Sequence, residues 1–249
     1  MEVHHHPDLH HRKKKIREYF LEFLMIFLAV TLGFFAEGLR ESLGDKEKEK
    51  DYINSLIRNL QEDTTDFNNT INANQDKLRA LELLMTLSFK DLSDPASRRL
   101  FYHYCTNMSI GYYSVFKSND ATMLRLKNSD GFRVIRKDHV ADSIAKYDNG
   151  LNYVYAAETI YWNATDRAIQ AAHEVLNYTI FYDTSYFNNG QYTNKFLPLV
   201  SDDPQKIKAL FNQVESEMGG TRNYIYNLQR RLPYAVHLIR FLKDKYGIE

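Results

Sequence analysis

Residues 18–38 read EYFLEFLMIFLAVTLGFFAEG. From Phe23 to Ala36 no side chain is charged, and extension back to Phe20 gives 17 residues. At 1.5 Å per residue this is roughly 26 Å of helix, against about 30 Å for the hydrocarbon core of a bilayer. A start at Ile16 closes the gap, provided Arg17 and Glu18 reach back to the headgroups. The Phe, Leu, Ile and Val side chains each favour insertion by roughly 0.3–0.6 kcal/mol, on the order of 4–5 kcal/mol together. That sum exceeds the ~2.5–3.5 kcal/mol cost of one central charge, and Glu22 is off-centre. The stretch predicts a single-pass transmembrane helix. The alternative is a helix buried in a soluble core.

The flanks set the orientation. Arg12, Lys13, Lys14, Lys15 and Arg17 form an unmixed basic cluster before the helix, whereas acids and bases alternate after Glu37. The positive-inside rule puts the N-terminus in the cytoplasm and the bulk of the chain outside it. Phe34 and Phe35 before Ala36 make a poor signal-peptidase site, so the segment reads as an uncleaved signal anchor. The expected organisation is a basic His-rich cytoplasmic tail (1–17), a membrane anchor (18–38) and a helical extracytoplasmic domain (39–249).

Helical phase gives Glu22 a neighbourhood. Glu22, Met25, Ala29, Gly33 and Ala36 share one stripe at steps of three and four. Ala29 and Gly33 form a small-xxx-small pair, which lets two membrane helices approach closely, and a polar group on the same face can bond across. Glu22, Ala29 and Gly33 are thus candidates for contact with a second copy or a membrane-protein partner. The alternative is that Glu22 snorkels to the near interface.

The tail MEVHHHPDLHH holds five of the nine histidines. It is either a weak Zn²⁺ or Ni²⁺ binder without fixed geometry or a flexible polar tail on a basic anchor. No defined metal site and no cofactor are expected. With 32 basic and 32 acidic residues, bulk charge offers nothing to a nucleic acid. A single cysteine, Cys105, rules out an intramolecular disulfide or a thiolate zinc cluster from one chain, and it reads as a buried small residue.

Gly and Pro are scarce, at 10 and 5, and periodic apolar runs are long, so the fold class is all-α: a transmembrane helix followed by an antiparallel helical bundle. Lys46 to about Leu87 reads as one helix with a heptad seam. Ile53, Leu60, Phe67, Asn74 and Leu81 occupy one position, and Ile57, Thr64, Ile71, Leu78 and Met85 the other. This seam faces a second copy or, because more long helices follow, an intramolecular bundle. Asp94-Pro95 caps a short helix to about Met108, and Asp120 caps another, broken near Gly131. Asp138 opens a long helix marked by Val140, Ile144, Tyr147, Leu151, Val154 and Tyr161. Asp203-Pro204 opens the last, which Gly219-Gly220 and Pro233 should bend or divide.

Residues 177–196, NYTIFYDTSYFNNGQYTNKF, are rich in Tyr and Asn and carry an Asn-Gly turn signal. They read as a hairpin or an irregular loop. Tyr182, Tyr186 and Tyr192 are candidates for a partner surface, since Tyr and Asn suit adaptable recognition. The alternative is a connection packed on the bundle by its own tyrosines.

Phosphate-binding glycine loops, H-E-x-x-H, G-x-S-x-G and the paired Glu-x-x-His motifs of di-metal bundles are all missing. His139 with Asp142, and His173 beside Glu174, read as surface or capping groups, and His103 and His237 as core-edge histidines. No catalytic residue is expected, and the chain does not read as an enzyme.

Residues 121–151, ATMLRLKNSDGFRVIRKDHVADSIAKYDNGL, resemble a pattern in a family of single-pass membrane proteins of Gram-negative bacteria that is a domain of unknown function. Leu126, Lys127, Ser129, Gly131, Ile135, Arg136 and Tyr147 occupy its marked places. The anchor and the following YINSLIRNLQEDT are similar to the start of such proteins. The resemblance implies an inner-membrane protein with a periplasmic domain and carries over no site residue. From the residues alone, Gly131 reads as a helix-ending turn free to adopt positive φ. The expected function is protein–protein contact in the cell envelope; the alternative is a ligand-sensing module that works with a separate signalling partner.

Overall fold

The computed structural model of the chain describes residues 15–106, 112–128, 131–137 and 139–248. It is all-α, with six α-helices and one two-stranded hairpin among the described residues. Two compact units are present, Met1–Asp51 and Tyr52–Glu249.

Helix α1 spans Ile16–Thr86, so the apolar segment and the seam belong to one element. No proline interrupts it, and single glycines such as Gly38 and Gly44 cost only ~1 kcal/mol each in a helix. In the first unit, α1 is long and apolar enough to span a membrane, and its apolar window is wholly unburied. The Thr31 hydroxyl in this window donates to the Phe27 carbonyl at 2.8 Å, leaving no unbonded donor there.

The second unit is built on α1, α5 (Val140–Val175) and α6 (Pro204–Tyr246). The seam faces this intramolecular core: Ile53, Leu60, Phe67, Asn74 and Leu81 are all buried. Each such Leu, Ile or Phe contributes roughly 1.5–3 kcal/mol of burial free energy. Shorter helices α2 (Pro95–Thr106), α3 (Ala121–Asn128) and α4 (Gly131–Val134) lie between α1 and α5. Asp94 caps α2 by accepting from Ser97 N at 2.8 Å, and Asp203 caps α6 by accepting from Gln205 N at 2.9 Å. Asp138 lies outside the described residues, and the residue before α5, His139, is left-handed with φ 62°.

The helices are not all antiparallel. Asp63 meets Tyr147, and Lys77 meets Tyr161 and Thr165, so α1 and α5 run in the same direction. Tyr224 stacks on Tyr161 and Arg231 reaches Tyr147, so α6 runs against α5. A same-direction pair needs a long crossover, which residues 87–139 supply.

Two expectations are corrected. Gly131 has no positive φ. It is buried, and a Cβ there would stand 2.9 Å from Leu126 Cα, so it is needed for close approach of backbone rather than for a turn. Of the expected bend or division of α6, the division does not occur: the helix is continuous through Gly219-Gly220 and Pro233. Its apolar face packs along α5, and a Cβ at Gly220 would already touch the Ala164 methyl at 3.2 Å.

Residues 187–192 form a hairpin of β1 (Phe187–Asn188) and β2 (Gln191–Tyr192). Both turn residues, Asn189 and Gly190, have positive φ, 50° and 78°. This is the pair of left-handed residues a two-residue type I′ turn requires.

Candidate functional site

Buried polar groups of α1 stand out. Leu56, Asp63, Thr70, Lys77 and Leu84 repeat every seven residues and all are buried. This column sits beside the seam and is apolar at its ends and polar at its three central positions. Its spacing was available in the sequence; the charges at Asp63 and Lys77 disguised it as a solvated face.

The column faces a strap. Residues 112–120 carry no helix or strand, so their backbone groups need other partners. Side chains of α1 supply them in descending order. Lys77 Nζ donates to Tyr112 O at 2.8 Å, and Asn74 Nδ2 donates to Ser114 O at 2.8 Å. Asp66 accepts from Lys117 N at 2.9 Å, and Asp63 accepts from Asn119 N at 2.7 Å. The Tyr224 hydroxyl of α6 accepts from Phe116 N at 2.8 Å, and the Phe116 ring stacks on Phe67 with centroids 3.9 Å apart. The strap thus runs antiparallel to α1, locked by side chains instead of a backbone ladder.

At the upper end of the strap, Lys77 Nζ lies 2.8 Å from Glu217 Oε1 with both side chains fully buried. Lys77 also donates to the Tyr161 and Thr165 hydroxyls at 3.2 Å each and stands 4.5 Å from the Tyr161 ring centroid. Burial pulls the lysine pKa down, and the Glu217 charge opposes this. Burial pushes the Glu217 carboxyl up, opposed by Lys77 and by the Thr165 hydroxyl. Neither Glu217 oxygen meets strict hydrogen-bond geometry among the described residues, so the ion pair is its main support. This polar layer separates two apolar clusters. One holds Phe67, Ile71, Tyr161 and Tyr224; the other starts at Leu81, Ala168 and Met218.

At the lower end, Asp63 Oδ2 accepts from the Tyr147 hydroxyl at 3.0 Å. Burial raises its carboxyl to about 6, partly offset by the Asn119 N–H and by Tyr147. It borders a cleft of about 270 Å³ with Asn59, Asn119, Asn152 and Tyr155. Lys127 and Asp148, paired at 2.6 Å, line the same cleft.

A wider cleft of about 820 Å³ opens beside the 3-10 turn Leu87–Phe89. Met85, Leu87, Ile207 and Phe211 line it, together with Phe89, which is 91% exposed. Arg98 at its edge is buried. It donates to Leu92 O at 2.7 Å and pairs with Asp202 at 3.3 Å.

The stripe of Glu22, Ala29 and Gly33 lies in the first unit, exposed along α1. A Cβ at Gly33 would meet nothing within 4 Å. The three candidate tyrosines divide. Tyr182 is 93% exposed, whereas Tyr186 and Tyr192 are half-buried against the second cluster. Tyr192 shares a hydrogen bond with Thr106 at 3.3 Å, and its ring packs on Phe187.

Cys105 is buried, and burial raises its thiol well above its usual value, against thiolate formation. His103 and His237 are exposed rather than at a core edge, because both fall on outward faces of α2 and α6. His139 and His173 are exposed as well. Among the described residues, no three His, Cys, Asp or Glu side chains converge for a metal, and the histidine tail lies outside those residues. No family model, curated protein or solved structure matches the chain.

Proposed function

We propose that the chain is a membrane-anchored helical protein that acts by protein–protein contact in the bacterial cell envelope. Its N-terminus lies in the cytoplasm and its helical domain in the periplasm. The observation that carries this reading is the unburied apolar helix of the first unit, with Glu22, Ala29 and Gly33 on one stripe. A lipid-facing helix needs no small residues aligned with a carboxylate, whereas a helix-contact face uses both. Cross-linking in intact cells tests it. Wild type should yield a discrete membrane cross-link, and Gly33→Leu and Glu22→Gln should each reduce it. Unchanged cross-linking in both variants would remove the helix-contact reading. Gly33→Leu is a clean probe, since among the described residues a Cβ there would meet nothing within 4 Å.

The wide cleft beside Phe89 favours a second reading, a ligand-sensing module that works with a separate signalling partner. A thermal shift with a metabolite panel separates the two.

A further inference from the structure

Helices α5 and α6 border a third cleft, of about 310 Å³. Its chemistry differs from the other two. Lys146, Arg230 and Arg231 line it with Tyr153 and Tyr234, and no acidic side chain does.

Arg231 is the centre. The two buried cations of the bundle each have an acidic partner: Lys77 has Glu217 and Arg98 has Asp202. Arg231 has none among the described residues. Its guanidinium faces aromatic rings, with its carbon 4.6 Å from the Tyr234 centroid and 5.9 Å from the Tyr147 centroid. Its pKa is lowered first by burial; the tyrosines around it oppose this and Arg230 adds to it.

Gly150 leaves room for the guanidinium. A Cβ at this position would collide with the Arg231 fork, which lies over the bare backbone of the glycine. A glycine inside a helix costs ~1 kcal/mol relative to alanine, and here it admits the arginine. The result is a planar group with five donors beside two rings and the Gly150 backbone, with no protein acceptor among the described residues. Such a fork matches carboxylate and phosphate oxygens in pairs. Arg230 and Lys146 at the exposed rim add two more charges. The Tyr153 and Tyr234 rings, 74% and 48% exposed, offer flat walls.

We propose that this cleft binds a small, multiply charged organic anion through phosphate or carboxylate oxygens, with Arg231 as the central contact and Lys146 and Arg230 as rim charges. The site is independent of the protein-contact reading, because anion binding and membrane cross-linking are read separately.

The test is calorimetric titration of the full-length protein in neutral detergent with pyrophosphate, glycerol 3-phosphate and citrate. At least one probe should bind saturably. Arg231→Met should weaken it tenfold or more, and Lys146→Met about threefold. Gly150→Ala retains every charge but displaces the fork, and should also weaken binding by tenfold or more. Arg79→Met, far along α1 and paired with Asp76, should leave it unchanged. Saturable binding that survives both Arg231→Met and Gly150→Ala would overturn the proposal, as would no binding of any probe. Binding confined to a short-chain phosphatidic acid, with none of the soluble anions, would overturn it in favour of a lipid headgroup. If Arg231→Met fails to fold by circular dichroism, Lys146→Met and Gly150→Ala decide the matter.

Discussion

Lys77 Nζ and Glu217 Oε1 stand 2.8 Å apart in a place neither side chain shares with water. A charge left there alone is far costlier than the pair. Lys77→Met should therefore destabilise the bundle by about 3–5 kcal/mol, and Glu217→Leu by a similar amount. The double variant should recover much of the loss, because Tyr112 O keeps the Tyr161 hydroxyl as a donor. Urea denaturation of the four proteins gives the coupling. Strictly additive losses would show that the two charges do not depend on each other.

Asp63 links stability to pH. Its carboxyl rises from 3.8 to about 6 on folding, so the folded chain holds a proton that the unfolded chain has released. This contribution is full below about pH 4 and is lost as pH rises through 6. It amounts to roughly 2 kcal/mol after allowance for solvent screening. Asp63→Asn should flatten that slope. The measurement is the difference in urea midpoint between pH 4.5 and 7.5, in wild type and variant; equal differences would remove Asp63 as the cause.

Adjacent glycines of α6 should respond with opposite signs. A methyl at Gly219 meets open space, so Gly219→Ala should stabilise by about 0.5–1 kcal/mol through helix propensity. A methyl at Gly220 would press on Ala164 and on the backbone of Tyr161, 3.4 Å away. Gly220→Ala should destabilise by about 1–3 kcal/mol, since a close-packed interface must open to admit it. Thermal unfolding of both variants decides the signs.

Tyr102 ties α2 to the region around the hairpin. Its hydroxyl donates to Pro198 O at 2.6 Å and accepts from Asn177 N at 2.8 Å. Tyr102→Phe leaves both backbone groups without that partner and should cost about 1–3 kcal/mol. Amide exchange at Asn177 should quicken more than exchange in the middle of α5. Uniform acceleration along the chain would mean only a global loss.

The residues already carried the helices. Apolar spacing marked the buried faces of α1, α5 and α6, Asp94 and Asp203 announced the caps of α2 and α6, and Asn189-Gly190 announced a hairpin turn. These are local matters, settled within a few turns of chain. The long apolar helix was equally legible, because length and composition alone decide whether a helix suits a bilayer. What the tertiary structure decided is why α1 places Asp63, Asn74 and Lys77 inward. Their partners lie 35 to 56 residues away, in a strap with no periodicity of its own. The cation over Gly150 was hidden for the same reason, since Gly150 and Arg231 meet only when α5 and α6 pack. Periodicity reports which face is apolar; only packing reports which polar groups that face must also satisfy.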